Sequence, residues 1–186
     1  MRNQVRDCIL HAWNFWDPIY YSCTRLKYVE NPLGEKTIMR VRLTKYKGER
    51  IILQDGTVIQ KNDILLKIHL HNVRLLKKFE ESDSDVKKAY IIYYHVRESL
   101  PELVRFLQSE GYVDQVKGII GITMLHKGCK KLGFEVFPLR NKYYQWFKTL
   151  ALIPIYFLSA KTCKKNPPLP MYLMMSKDRL MQKYQV

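Results

Sequence analysis

Residues 56–74 read G-T-V-I-Q-K-N-D-I-L-L-K-I-H-L-H-N-V-R, and they join a tight turn to a strongly alternating segment. Within residues 64–71 every second side chain is aliphatic, and the positions between them end in two histidines. Side chains of a strand point alternately to opposite faces, so this pattern predicts a strand with one aliphatic and one polar face. Asp55 and Gly56 form a turn signal just upstream, because glycine accepts the positive φ of a tight hairpin.

Two further segments predict neighbouring strands. Residues 37–46 place Arg40 and Arg42 on one face and aliphatic side chains on the other, and residues 50–54 have the composition of a shorter strand. The simplest arrangement of these two segments with residues 64–71 is a small, mostly antiparallel sheet whose aliphatic face lies on a core.

If these longer strands are neighbours, two arginines and two histidines share the polar face, and this set predicts a ligand site. Arginines there would pair a carboxylate or phosphate bidentately, while the histidines and an amide side chain would orient it. The predicted site comprises Arg40, Arg42, His69, His71, Asn72, Arg74 and His126. The alternative is an ordinary solvated sheet face, since alternating polar residues occur on any half-exposed strand.

The charge balance is the strongest compositional signal. The chain of 186 residues carries 32 Lys and Arg against 17 Asp and Glu, which gives a formal net charge of +15. Such a surface attracts polyanions, namely nucleic acid, anionic lipid or acidic cell-wall polymers, and charge alone does not choose among them. An apolar content of 47% argues against overall disorder, and the length fits one domain.

Two apolar segments each have two interpretations. In the N-terminal segment, residues 1–30, positions 5–28 predict an amphipathic, aromatic-rich helix that is either docked on the core or lies at a membrane interface. Residues 146–158 are the most apolar stretch, which favours a buried helix, with contact to a membrane as the alternative. Both stretches are too short in apolar length to span a bilayer. We therefore expect a cytoplasmic protein that can associate peripherally with the inner membrane face.

The whole chain, residues 1–186, predicts one α+β domain: a small mixed or antiparallel sheet covered by several helices. A helix that begins near residue 86 is expected to be interrupted at Pro101. Ser176 is expected to cap a last short helix. The other predicted elements are a strand near 117–123, a helix near 124–132, strands at 134–137 and 171–175, and the capped helix at 177–184.

Catalytic motifs are largely missing from the sequence. No Walker A sequence, nucleophile elbow or H-E-x-x-H metal motif occurs. His69 and His71 could offer two metal ligands, with His126 as a third, but we predict no metal and no cofactor. Cys129 could act as a nucleophile, although such a cysteine is more often a small apolar side chain.

Two further activities stay open as alternatives. Residues 115–121 read Q-V-K-G-I-I-G and resemble the cofactor loop Q/R-x-x-G-x-G/A of the GNAT acetyltransferases, with the second glycine one residue late. A transferase is therefore one alternative. A basic nucleic-acid-binding protein is the other, because aromatic side chains interleaved with basic ones could stack bases, but no RRM-type motif is visible.

Five stretches together resemble the YkoP-like family of uncharacterised bacterial proteins. They are R-V-R-L-T-K-Y-K-G (40–48), L-Q-D-G-T-V (53–58), K-I-H-L-H-N (67–72), G-I-T-M-L (121–125) and K-L-G-F-E-V (131–136), and residues 171–184 are also similar. In that family the domain occurs alone or C-terminal to polysaccharide deacetylase domains in spore-forming Gram-positive bacteria. The resemblance implies no deacetylase activity, because the H-x-x-x-H metal pair of those enzymes does not occur here.

The resemblance implies a role near cell-envelope glycopolymers or the membrane. Together with the predicted basic site, it leads us to expect a non-catalytic accessory or binding module linked to the cell envelope. The expected partner is an anionic membrane surface or an anionic envelope glycopolymer, and nucleic acid is a less favoured partner.

Overall fold

The structure is a computed structural model that describes residues 25–71, 74–75, 84–126, 128–159 and 167–185. Along these ranges five strands precede the first helix, and helices are interspersed with the strands after it. The strands are β1 (Lys27–Glu30), β2 (Lys36–Lys45), β3 (Ile51–Ile52), β4 (Val58–Ile59), β5 (Ile64–Leu70), β6 (Gly118–Thr123), β7 (Glu135–Pro138) and β8 (Met171–Ser176). The helices are α1 (Asp85–Ser109), α2 (Lys142–Ser159) and α3 (Lys177–Tyr184), and Cys129–Leu132 form a short 3₁₀ helix.

Six of these strands form one mixed sheet in the order β1-β2-β5-β6-β8-β7. Neighbouring strands are antiparallel except β5 and β6, which are parallel. The α+β domain with a mixed sheet and covering helices is therefore confirmed, and so is the pairing of the two longer predicted strands.

The prediction that residues 50–54 belong to the same sheet is wrong. Only Ile51–Ile52 are extended, and they pair with Val58–Ile59 as a separate hairpin. The predicted turn at Gly56 is the reason: Gly56 takes a φ of 83°, and Leu53 N donates to the carbonyl of Thr57 at 2.9 Å. This turn reverses the chain direction, so residues 51–52 pair with residues 58–59 and not with a strand of the six-stranded sheet.

One face of the six-stranded sheet, which we call the aliphatic face, packs against α1 and α3. Leu66, Ile119 and Met175 on three strands are fully buried there, together with Leu103 of α1 and Leu180 of α3. Each such side chain contributes about 1.5–3 kcal/mol when it leaves water. This face is the main core of the domain.

The opposite face, which we call the basic face, is covered differently along its length. At one end the hairpin packs Leu53 and Ile59 on Leu65 in a smaller apolar cluster. Farther along, α2 approaches this face, and the charge of its Lys148 acts on Lys67 of β5. The candidate site lies under this helix.

The N-terminal helix prediction needs one correction. Lys27–Glu30 form β1 and pair with β2, so the predicted helix does not extend to residue 30. Tyr28 lies directly opposite Arg40 in this pairing, and hydrogen bonding at the sheet edge outweighs the helical spacing of the segment. The remainder of that prediction, residues 1–24, lies outside the described residues.

Two other helix predictions are wrong in extent. α1 continues through Pro101 as one helix of 25 residues. An interior proline costs about 3 kcal/mol, and the complete burial of Leu100 and Leu103 beside it offsets that cost. The helix predicted near 124–132 is reduced to a 3₁₀ turn, because Gly128 takes a φ of 86°, which a right-handed helix does not contain.

The buried helix predicted at residues 146–158 is wrong for one side of α2. Tyr156 is buried, but Trp146, Phe147 and Leu150 are exposed to solvent. The physical reason lies beneath the helix, where the sheet presents basic rather than apolar side chains. The C-terminal prediction is confirmed: Ser176 ends β8, and its Oγ caps α3.

Candidate functional site

Strand register brings basic residues of β2 and β5 onto one face. Arg40 lies directly opposite His69, and Arg42 lies directly opposite Lys67. Directly opposed side chains in an antiparallel pair have Cβ atoms about 4.5–5.5 Å apart. The predicted juxtaposition of Arg40, Arg42 and His69 is therefore present, and Lys67 joins it.

Tyr28 on β1 occupies the outer end of this face and contacts Arg40 and His71. Arg40 Nη2 donates to the Tyr28 hydroxyl at 2.5 Å, and the guanidinium carbon lies 4.8 Å from the centroid of the Tyr28 ring. His71 Nδ1 lies 3.4 Å from the same hydroxyl, and the two rings meet edge-on. Arg40 is only 4% exposed, so these contacts hold its guanidinium against the sheet edge.

Arg42, Lys67 and Lys148 form a group that we call the cationic cluster. The first two belong to adjacent strands, and Lys148 approaches the same face from α2. The pKa of Lys67 falls to about 8, mainly through burial and in addition through the charges of Lys148 and Arg42. Burial and the nearby Arg42 also lower the pKa of Lys148. The three cations therefore repel one another in a partly dehydrated space.

No carboxylate of the described residues balances this cluster. Arg42 Nε is buried and has no hydrogen-bond partner among the described atoms, and none of the three cations forms a salt bridge within the described ranges. Other basic side chains of the same ranges do have acidic partners, as in Lys27–Glu110, Arg105–Glu102, Lys117–Asp63, Arg140–Glu49 and Arg179–Glu135. Burying unpaired charge is costly, so the cluster is electrostatically incomplete by itself.

His69 lies among these cations and is uncharged. Burial and, after it, the neighbouring basic side chains, of which Lys67 contributes most, lower the pKa of His69 to about 3. A neutral imidazole offers one N–H donor and one acceptor. His69 would therefore orient a ligand through a hydrogen bond, whereas the attraction would come from the cationic cluster.

The other predicted site residues lie at the margin of this face or beyond it. Arg74 is exposed, and its Nη1 donates to the carbonyl of Lys36 at 2.5 Å. His126 lies in the loop after β6, where its carbonyl accepts a hydrogen bond from Cys129 N, and no described contact joins it to the cationic cluster. Asn72 lies outside the described residues.

Two features that suggested catalysis have structural roles instead. Burial raises the pKa of the Cys129 thiol to about 11, so this cysteine is protonated and a poor nucleophile near neutral pH. Gly118 and Gly121 of the GNAT-like stretch lie inside β6. A Cβ at Gly118 would come within 2.7 Å of the Met175 carbonyl oxygen, so close strand packing explains this glycine. The loop at a helix start that binds a pyrophosphate is not formed here.

Two other functional features are missing from the described part of the chain. It contains no group of three or more His, Cys, Asp or Glu side chains that could hold a metal ion. Within the same ranges, every helix falls short of the length and apolar character that crossing a membrane requires.

Lys67 and Lys148 are the cluster residues that the sequence prediction did not include. Lys67 carried a usable signal, because it alternates with His69 on the polar side of the same strand. Lys148 had no comparable signal in the sequence, since only the packing of a helix that is distant in the chain brings it to this face. Tyr28 likewise joins the site through the pairing of β1 with β2.

Comparisons with known proteins place the chain in one family along nearly its whole length. The YkoP domain family matches residues 6–184. The protein described as uncharacterized protein YkoP of Bacillus subtilis (strain 168) is 42% identical over 182 residues, which cover 97% of this chain and 98% of that protein. No solved structure matches the chain. The similarity extends over the six-stranded sheet and all three described α-helices.

Proposed function

We propose that this chain, which belongs to the YkoP family, is a non-catalytic binding module that holds a phosphate or carboxylate group on the basic face of its sheet. The observation that carries the proposal is the cationic cluster. Arg42, Lys67 and Lys148 share a half-buried space that has no counter-charge among the described residues.

The energetics of the cluster favour an anionic ligand. Two unit charges at 4 Å interact by about 4 kcal/mol at the effective dielectric constant of a protein surface. The charges of Lys148 and Arg42 contribute to the lowered pKa of Lys67, which shows that the cations repel one another, and an anion among them would replace this repulsion by attraction. Because the groups are partly buried, salt screens this attraction less than it screens charges on an open surface.

The chemistry of the individual side chains favours a phosphate over a single carboxylate. Arg42 Nε is a buried N–H donor with no described acceptor, and Lys67 and Lys148 supply compact positive charges. Three cations match a doubly charged oxyanion more closely than a singly charged one. His69, which is neutral, would accept or donate one orienting hydrogen bond.

The family resemblance implies a role at the cell envelope, and this role suggests which molecule contains the bound phosphate or carboxylate group. Anionic envelope glycopolymers and their precursors have phosphate or carboxylate groups at regular intervals. The protein would then act at the inner membrane face, as an accessory to enzymes that make or modify such polymers.

Thermal unfolding in the presence of simple anions tests the proposal. A ligand at ten times its dissociation constant stabilises the folded state by about 1.4 kcal/mol. We expect phosphate and pyrophosphate to raise the Tm of the wild-type chain at constant ionic strength, and acetate to raise it less. Lys67→Met should abolish this increase, whereas Lys87→Met on an exposed turn of α1 should leave it unchanged.

The variants also separate this proposal from its alternatives. Lys67→Met removes a buried charge and should fold at least as stably as the wild type, so a lost response cannot come from unfolding. An equal phosphate response in Lys67→Met would contradict the proposal. Salt-sensitive binding of RNA or DNA that is unchanged in Lys67→Met would favour a nucleic-acid-binding function on another surface.

A further inference from the structure

The outward side of α2 is an exposed aromatic stripe. Its four members recur at helical spacing i, i+3, i+4 and i+7, which places them on one side of the helix. They are Tyr143 at 88%, Trp146 at 65%, Phe147 at 57% and Leu150 at 49% exposure. We call these four residues the aromatic stripe.

The inward side of α2 has the opposite character. Gln145, Lys148 and Thr149 are half-buried toward the sheet, and Lys148 faces the other two cations of the cationic cluster. The same side also carries apolar residues, since Tyr156 is buried and Leu152 and Ile153 are half-buried. Apolar side chains therefore occur on both sides of α2, whereas a helix on the surface of a monomeric domain normally turns polar and charged side chains outward. An exposed apolar patch of this kind marks a contact surface for a partner outside the domain.

We propose that the aromatic stripe lies in the headgroup layer of an anionic membrane. Tyrosine and tryptophan favour this layer, because their rings are apolar while their hydroxyl and N–H groups reach water. Charge supports the same partner: the chain has a net charge of +15, and Lys142 is exposed at the start of α2. Amphipathic surfaces with basic residues bind anionic lipids through these two contributions together.

The size of the stripe argues against a second copy of this chain as the partner. Four side chains at these exposures offer roughly 500–600 Å², since a fully buried aromatic side chain covers about 150–250 Å². A protein interface of standard size buries about 800 Å² on each partner, which is more than these four side chains offer by themselves. Binding to a bilayer does not need a contact of this size, because a peripheral protein is held by apolar contact and by long-range attraction to many lipid charges.

This membrane proposal concerns the outer side of α2 and does not depend on the anion site beneath it. The experiment is flotation of the full chain with vesicles of phosphatidylglycerol and phosphatidylcholine, or of phosphatidylcholine alone, at low and high salt. The test variant is Trp146→Ser combined with Phe147→Ser. The matched control is Tyr90→Ser combined with Tyr94→Ser, which removes two exposed aromatic side chains, at 65% and 46% exposure, from α1.

We expect the wild-type chain and the α1 control to float with the anionic vesicles, and the bound fraction of the α2 variant to fall by tenfold or more. Salt should weaken wild-type binding without abolishing it, because apolar contact persists when charges are screened. Trp146→Leu should keep most of the binding. In a chain with Trp13→Phe and Trp16→Phe, brominated lipid should quench the fluorescence of Trp146.

Several results would overturn the proposal. Equal flotation of the α2 variant and the wild type would exclude the stripe as the contact surface, and equal binding to neutral vesicles would exclude the selection for anionic lipid. A dimer that dissociates in the α2 variant, with no vesicle binding, would identify the stripe as a self-association surface. Flotation that Lys67→Met abolishes and the α2 variant retains would assign the lipid contact to the cationic cluster alone.

Discussion

The two faces of the six-stranded sheet follow different rules. The aliphatic face is a continuous core in which side chains such as Leu66, Ile119 and Met175 are fully buried under two helices. The basic face has a small apolar cluster at one end and the cationic cluster under α2 at the other. Burial of apolar side chains on the aliphatic face stabilises the fold, whereas burial of charged side chains on the basic face destabilises it.

This contrast indicates that the functional surface of the fold is the basic face. A face that buries only apolar side chains is explained completely by folding. Folding does not explain a face that dehydrates three cations without a described counter-charge, since replacing such groups with apolar ones is often neutral or stabilising. The following experiments test how far the contrast between the two faces holds, beginning with the largest expected effect.

Leu103→Ala on α1 should be the most destabilising change. Leu103 is fully buried in the core under the aliphatic face, and the cavity left by truncation costs about 2–5 kcal/mol. Urea unfolding measures this loss as a lower midpoint with an unchanged slope. A loss below about 1 kcal/mol would show that the aliphatic face is less tightly packed than its burial indicates.

Lys67→Met on the basic face should change stability in the opposite direction, by a gain of about 1–2 kcal/mol at pH 7. The pKa of Lys67 is about 8 in the folded chain, below its ordinary value of 10.5. The unfolded chain therefore binds more protons between these values, so wild-type stability rises with pH across that window. The advantage of the variant should shrink from pH 8 to pH 10.5. Urea unfolding at pH 7 and pH 10 measures both effects, and a destabilised variant would contradict them.

Ser176→Ala should cost about 1–2 kcal/mol, because Ser176 joins the two sides of the sheet. Its Oγ accepts a hydrogen bond from Arg179 N at 3.0 Å, which caps α3 on the aliphatic face. The same hydroxyl donates to Asp55 in the hairpin on the basic face. Thermal unfolding of the wild type and of Ser176→Ala measures the loss of both bonds. Equal stability of these two chains would show that neither bond contributes.

The smallest expected effect is on the pH dependence of anion binding. Lys67 loses its proton near pH 8, while His69 is neutral at both pH values, so sulfate should bind about threefold more weakly at pH 9 than at pH 7. This change corresponds to less than about 1 kcal/mol. Isothermal titration of sulfate measures it, and Lys67→Arg should reduce the dependence to the part that Lys148 contributes, because arginine stays charged. A pH-independent wild type would exclude Lys67 from the site.

Local sequence patterns are sufficient to predict the two long strands of the sheet, the faces of these strands and several chain reversals. Alternation in residues 64–71 and 37–46 is enough to place Arg40, Arg42 and His69 on one side, because a strand has a period of two whatever surrounds it. Gly56 and Ser176 likewise act through local chemistry, a positive φ in one case and a side-chain cap in the other. These predictions needed no knowledge of the rest of the molecule.

What covers each face of the sheet depends on tertiary contacts. Lys27–Glu30 form a strand because they pair with β2 at the sheet edge. Helix α1 continues through Pro101 because the burial of Leu103 offsets the cost of the proline. The position of α2 brought Lys148 to Lys67 and turned Trp146 toward solvent. The physical reason is common to these cases: local patterns fix which side chains share a face, but contacts between residues far apart in the chain decide whether that face meets a core, a ligand or water.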